Sequence, residues 1–178
     1  MGDGVLITPN FTLGYGVTTA IPNNYPSDLQ SGLLLGGEVE VDYHPSSYFS
    51  SGGGVLFHHL LGGSEYSLLA AKPFFTFHLP APARDDNMYG LKVGFPMGAR
   101  TRVDDEFRFT GGLSLELFWN NPEVTGLDEL NYSEGNVSVA FNFLQTPLDG
   151  GLESSILMAL KVNFLGIFDS DNYSPTGE

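Results

Sequence analysis

Phe107-Arg108-Phe109-Thr110-Gly111-Gly112-Leu113-Ser114-Leu115-Glu116-Leu117-Phe118-Trp119 is the stretch on which the fold turns. Phe107, Phe109, Leu113, Leu115, Leu117 and Trp119 occupy one parity, and Arg108, Thr110, Gly112, Ser114 and Glu116 the other. A helix would scatter these sets around its axis, whereas a strand places them on opposite faces. The run also exceeds the about five or six residues of an ordinary strand.

The same period recurs along the chain and predicts eight strands, at about 5–19, 31–43, 49–61, 67–79, 88–101, 107–119, 136–144 and 155–168. In the first, Val5, Ile7, Phe11, Leu13, Tyr15 and Val17 oppose Thr8, Asn10, Thr12, Gly14, Gly16 and Thr18. In the second, Leu33, Leu35, Val39, Val41 and Tyr43 oppose Gly32, Gly36, Glu38, Glu40 and Asp42. The third sets Phe49, Val55, Phe57 and Leu61 against Leu56, His58 and Leu60. The fourth sets Leu69, Ala71, Phe75, Phe77 and Leu79 against Lys72, Phe74, Thr76 and His78, and in the fifth the second face carries Lys92 and Arg100. The last two strands place Ala140, Asn142, Ala159, Lys161 and Asn163 on that face. Pro80-Ala81-Pro82-Ala83-Arg84-Asp85-Asp86-Asn87 and the acidic Asp104-Asp105-Glu106 read as connections, as do residues 120–135 and 145–154. Pro73 and Pro96 cannot donate ladder hydrogen bonds, so bulges or local water contacts are expected there.

The two faces differ in kind. The first is large and apolar throughout. The second is mostly Gly, Ser, Thr, Asn and Ala with a few charges of both signs, unlike the Lys- and Glu-rich face a soluble sheet shows to water. Charged residues are only 16% of the chain, against about 25% in soluble domains. The reading that fits is an all-β, eight-stranded antiparallel up-and-down transmembrane β-barrel over residues 1–168, with a polar tail at 169–178. Its apolar face meets lipid and its polar face fills the lumen. A soluble barrel or sandwich is the alternative. Tyr15, Tyr43, Phe49, Tyr89, Phe107, Trp119 and Phe168 lie near strand ends, as interfacial girdles would.

A net charge of −14 with seven Lys and Arg argues against nucleic acid as a partner. The absence of Cys removes disulfide and thiolate chemistry, and no apolar run reaches the about 18 residues of a membrane helix. Met1-Gly2-Asp3-Gly4 is not a signal peptide, so export implies a leader on the precursor.

The alternation, the strand count and the last strand together resemble the small outer-membrane barrels of the OmpA, OmpX and OmpW type, over nearly the whole chain. Leu160, Val162, Phe164 and Phe168 look like the terminal signal read by the barrel assembly machinery. The resemblance implies a bacterial outer-membrane location and contact with outer-membrane lipids, or with detergent in their place. It further implies other envelope proteins as partners, and termini on the periplasmic side. It carries no cofactor.

The chemistry-bearing set is a lumen ion-pair cluster of Glu38, Glu40, Asp42, Lys72, Lys92, Arg100, Arg108, Glu116 and Lys161. Buried charges must pair, and an eight-stranded barrel is just wide enough to be filled by side chains. The cluster reads as a plug or, alternatively, as the gate of a narrow path for small ions or small apolar molecules. Glu38, Glu40, Asp42 and Glu116 are the only acids, of 21, that fall inside the predicted strands. His58 and His78 facing inward on neighbouring strands are a conceivable metal pair. His44 and Ser46 match the histidine-x-serine pattern of outer-membrane lipid A deacylases, although Ser is expected in a Pro-containing turn anyway. Gly52-Gly53-Gly54 is no phosphate loop, and the three Asn-x-Ser/Thr sites are idle in this setting. The expected role is that of a non-enzymatic structural, surface or envelope-anchoring barrel. A channel and a lipid-modifying hydrolase stand as alternatives.

Overall fold

A computed structural model describes residues 4–22, 29–46, 49–63, 65–79, 88–102, 107–120 and 137–163. They form β1 (Gly4–Pro22), β2 (Leu29–Ser46), β3 (Phe49–Gly62), β4 (Tyr66–Leu79), β5 (Met88–Gly94), β6 (Met97–Arg102), β7 (Phe107–Asn120), β8 (Val137–Leu148) and β9 (Gly151–Asn163). Apart from β5 and β6, strands adjacent in sequence pair antiparallel, and β9 returns to pair with β1, Asn10 facing Asn163 and Pro22 facing Gly151. β5 and β6 are two halves of one stave, since both lie between β4 and β7. The sheet is therefore an eight-staved, up-and-down closed barrel. Closure leaves no sheet edge, so the wall meets its own backbone groups except where a proline lacks the donor.

Alternation sets the faces as the sequence predicts. Leu13, Tyr15, Val39, Val55, Phe57, Leu69, Phe75, Leu117, Val139, Met158 and Leu160 are exposed on the outside. Thr12, Glu40, Lys72, Lys92, Ser114, Glu116, Asn142 and Lys161 are buried on the inside.

Three expectations change. The connection predicted at 145–154 is mostly strand: β8 runs to Leu148, β9 starts at Gly151, and only Asp149-Gly150 turns the chain. Gly150 has φ +85°, a left-handed conformation in which other residues are strained. Asp-Gly between two strands is itself the signature of a tight hairpin. A fifth acid, Glu153, thereby enters a strand and points inward, 1% exposed.

The second change concerns the prolines. Pro96 breaks the fifth stave at residues 95–96, yet no residue is inserted there. Phe74 faces Gly94 before the break and Ala71 faces Met97 after it, in unchanged register. The same holds towards β7, where Gly94 faces Ser114 and Met97 faces Gly111. The ladder thins without a bulge. The bonds that remain at the break are Phe95 N–H to the Pro73 carbonyl and Gly112 N–H to the Pro96 carbonyl, both 2.9 Å.

Third, the inside is not uniformly small and polar. Leu34, Leu56, Leu60, Leu68, Leu144 and Leu157, with Tyr66, Ala70 and Ala159, form an apolar layer across it.

Candidate functional site

The inward residues stack in three layers along the barrel. Ladder register decides the first. Gly54 faces Glu40 on one side and Lys72 on the other, and Lys92 faces both Thr76 and Glu116. Staves from opposite sides of the barrel thus deliver three carboxylates and three ammonium groups to one level. Lys72 contacts Glu38, Glu40 at 2.7 Å and Glu116 at 3.8 Å. Lys161 reaches the same three, Glu116 at 2.7 Å, Glu38 at 3.0 Å and Glu40 at 3.2 Å. Lys92 holds Glu40 at 2.7 Å. Asn10 Nδ2 donates to Glu40 at 3.3 Å, and Ser138 Oγ donates to Glu116. Lys92 Nζ also lies 4.4 Å from the centre of the Phe74 ring. All six charged side chains are at most 4% exposed, so equal numbers of opposite charges are what makes their burial tolerable.

The apolar layer comes next, and beyond it, towards the β8–β9 hairpin, a second polar layer. Arg100 pairs with Glu153, donates from Nη1 to Thr146 Oγ1 at 3.3 Å, and stacks 3.9 Å from the centre of the Tyr66 ring. Thr146 Oγ1 continues to Thr110 at 2.9 Å.

Of the nine charged residues singled out from the sequence, Glu38, Glu40, Lys72, Lys92, Glu116 and Lys161 meet in one cluster. Asp42 sits nearer the end of the barrel where β1 begins, accepting from Ser50 at 3.1 Å. Arg100 belongs to the second layer. Arg108 does not join the cluster: its side chain is 26% exposed and meets Asp149, itself 98% exposed, at 3.5 Å. It lies in the second residue of β7, at the barrel rim, where water competes for it. Glu153 falls outside the strands that alternation predicts; the Asp149-Gly150 turn is the sequence signal that places it in β9.

His58 is inward and 3% exposed, its ring against Gly36, while the His78 side chain lies outside the described set. Among the described residues no group of three His, Cys, Asp or Glu side chains is placed to hold a metal ion. The side chains of His44 and Ser46 are likewise outside it. A different serine–histidine pair is present on the outer face, His59 Nδ1 and Ser67 Oγ at 2.9 Å, with Glu65 at 3.6 Å from Nε2. His59 and Ser67 are directly opposed in the β3–β4 ladder. Such a contact is the ordinary product of cross-strand pairing, and the strand amides nearby are committed to the ladder rather than free to hold an oxyanion.

The outer face is decisive for where the barrel resides. From Ile7 and Val41 through Phe57, Leu69, Phe77, Leu117 and Val139 to Ile156 and Met158 it is apolar on every stave, while the charges are inside. The staves also exceed the about nine to eleven residues needed to cross the hydrocarbon core. A soluble protein would hide such a belt; this chain turns it outward around its full circumference. The chain is a closed eight-stranded barrel with the outward apolar belt of a membrane-spanning wall.

No protein-family model matches this barrel, and no curated protein matches it. Among solved structures it is similar to Neisserial surface protein A (NspA), with 8% identity and a TM-score of 0.46 over 90% of this chain and 99% of that one. It is also similar to Ail, the attachment invasion locus protein of Yersinia pestis, with 10% identity and a TM-score of 0.38 over 88% of this chain and 99% of that one. The closed ladder and the apolar belt, rather than these distant likenesses, carry the identification.

Proposed function

We propose that the barrel is a non-enzymatic structural or surface element of the bacterial outer membrane, or the anchor of an envelope assembly, with a lumen plugged by its own side chains. One observation carries this reading: inward-facing residues at successive levels have no contact with solvent. Leu34, Leu60 and Leu157 are 0% exposed, as is Glu40 in the charged layer beside them. In a water-filled pore these groups would be wet. With the interior filled, function falls to the outer surface and the connections. Leu160 and Val162 lie on the outer face of β9; Phe164 and Phe168 fall outside the described residues. Their alternation supports recognition by the barrel assembly machinery as the route of insertion.

Planar-bilayer recording tests the plug. The wild-type barrel should give no steps of conductance, and Arg108→Ala, away from the cluster, should leave that unchanged. Steady channels in the wild type, altered by Glu116→Ala, would instead make the cluster a gate. An altered lipid profile dependent on His44 or Ser46 would favour the hydrolase alternative.

A further inference from the structure

The wall is weakest where the two prolines meet. In an antiparallel ladder, directly bonded residues exchange two hydrogen bonds. At the Pro73–Phe95 position only Phe95 donates, and at the Pro96–Gly112 position only Gly112 donates. The nitrogens that should answer the Phe95 and Gly112 carbonyls belong to proline and carry no hydrogen. Both losses fall on one stave, at adjacent residues, one towards β4 and one towards β7. They lie in the middle of the staves, at the level of hydrocarbon, where an unmet carbonyl costs several kcal/mol.

The surroundings of this seam are thin. On the outer face Gly53, opposite Pro73, has no side chain, and a Cβ on it would meet only the Lys72 carbonyl at 3.9 Å. Gly111, opposite Met97, is similarly open. On the inner face the Lys72 stem lies against Gly94, where a Cβ would come within 3.0 Å of it. Apart from the outward Phe95 side chain, 41% exposed, the seam separates the bilayer from the charged cluster by little more than backbone.

We propose that the wall opens at this seam and takes up, from the bilayer, a small amphiphile bearing a hydroxyl or N–H donor on an apolar body. The chemistry selects the class. The seam offers two carbonyl acceptors, those of Phe95 and Gly112, so a donor is bound and an acceptor-only head is not. An alcohol fits; an ester of the same chain length does not.

The test uses isotopically labelled barrel in phospholipid nanodiscs, with 1-dodecanol as probe and methyl dodecanoate as control. Amide exchange at Phe95 and Gly112 should be at least about tenfold faster than at Leu117 and Val139, as for a locally opening segment. Dodecanol should give saturable shifts centred on Phe95 and Gly112 and slow their exchange, and the ester should do neither. Pro73→Ala and Pro96→Ala, made singly and together, restore the missing donors. Each should slow exchange and weaken dodecanol binding, by about tenfold or more for the pair. Should one variant fail to fold, the other and the wild-type titration still decide. Seam amides as protected as their neighbours would overturn the proposal. So would alcohol shifts spread evenly over the belt, equal effects of alcohol and ester, or fast exchange with no alcohol effect, the mark of water alone.

Discussion

Glu40 shows what the buried cluster asks of a single side chain. Its two oxygens answer Lys72 and Lys92 at 2.7 Å, Lys161 at 3.2 Å and Asn10 at 3.3 Å. Replacing it with Gln leaves three ammonium groups to share two carboxylates in a site closed off from bulk solvent. Breaking a buried ion pair by removing one partner costs about 3–5 kcal/mol, and Glu40→Gln should lower stability by that order in urea titrations followed by circular dichroism in micelles. Arg108→Ala supplies the contrast. Its pair with Asp149 is open to solvent, and exposed pairs contribute about 0–1 kcal/mol. A similar loss in both variants would mean that the lumen is wetter than its burial implies. Residue type and parity were enough to place Glu40, Lys72, Lys161 and Glu116 inside. Which acid meets which base was not legible, because it depends on the stagger of staves far apart in sequence.

The β8–β9 hairpin shows where reading by alternation fails. Gln145 and Ser154 face outward on β8 and β9 and interrupt the apolar parity, so the strands seemed to end before they did. Turn chemistry is the better guide, since Asp149-Gly150 is followed by Glu153 at the depth of Arg100. Gly150 is the residue that permits the two-residue turn. A side chain in its left-handed conformation costs about 1–2 kcal/mol, so Gly150→Ala should be destabilising by that amount, measured by the same titration. Asp149→Ala should cost less, its side chain being almost wholly in water. If Gly150→Ala were neutral, the turn would not have the conformation described. The fifth stave failed to be read in the opposite direction. Its alternation was legible across Pro96, but the interruption was not, because an unshifted register leaves no trace in residue parity. The apolar layer was hidden in the same way: Leu34 sits among a run of three leucines, and Leu56 and Leu60 flank His58 on a face otherwise read as polar.

The assembled barrel inverts the usual arrangement of a soluble domain, and that inversion has a measurable depth. If the belt faces hydrocarbon, the cost of an outward charge must depend on its height in the membrane. Leu113, near the middle of β7, and Phe107, at its first residue, both point outward on the same stave. An arginine on the lipid face costs about 2–4 kcal/mol at the midplane and about 0–1 near the interface. Leu113→Arg should therefore be strongly destabilising and Phe107→Arg close to neutral, with folding into phospholipid vesicles as the readout. Lattice stagger and side-chain size do not produce such a gradient, since both positions are exposed and Phe107 is the larger residue. A barrel whose belt were covered by a protein partner would give losses set by packing rather than by height. A soluble fold would tolerate both arginines and stay β-rich and monodisperse without detergent. The gradient along β7 is thus specific to a wall immersed in lipid, and a flat profile would remove the membrane assignment even though the closed ladder remained.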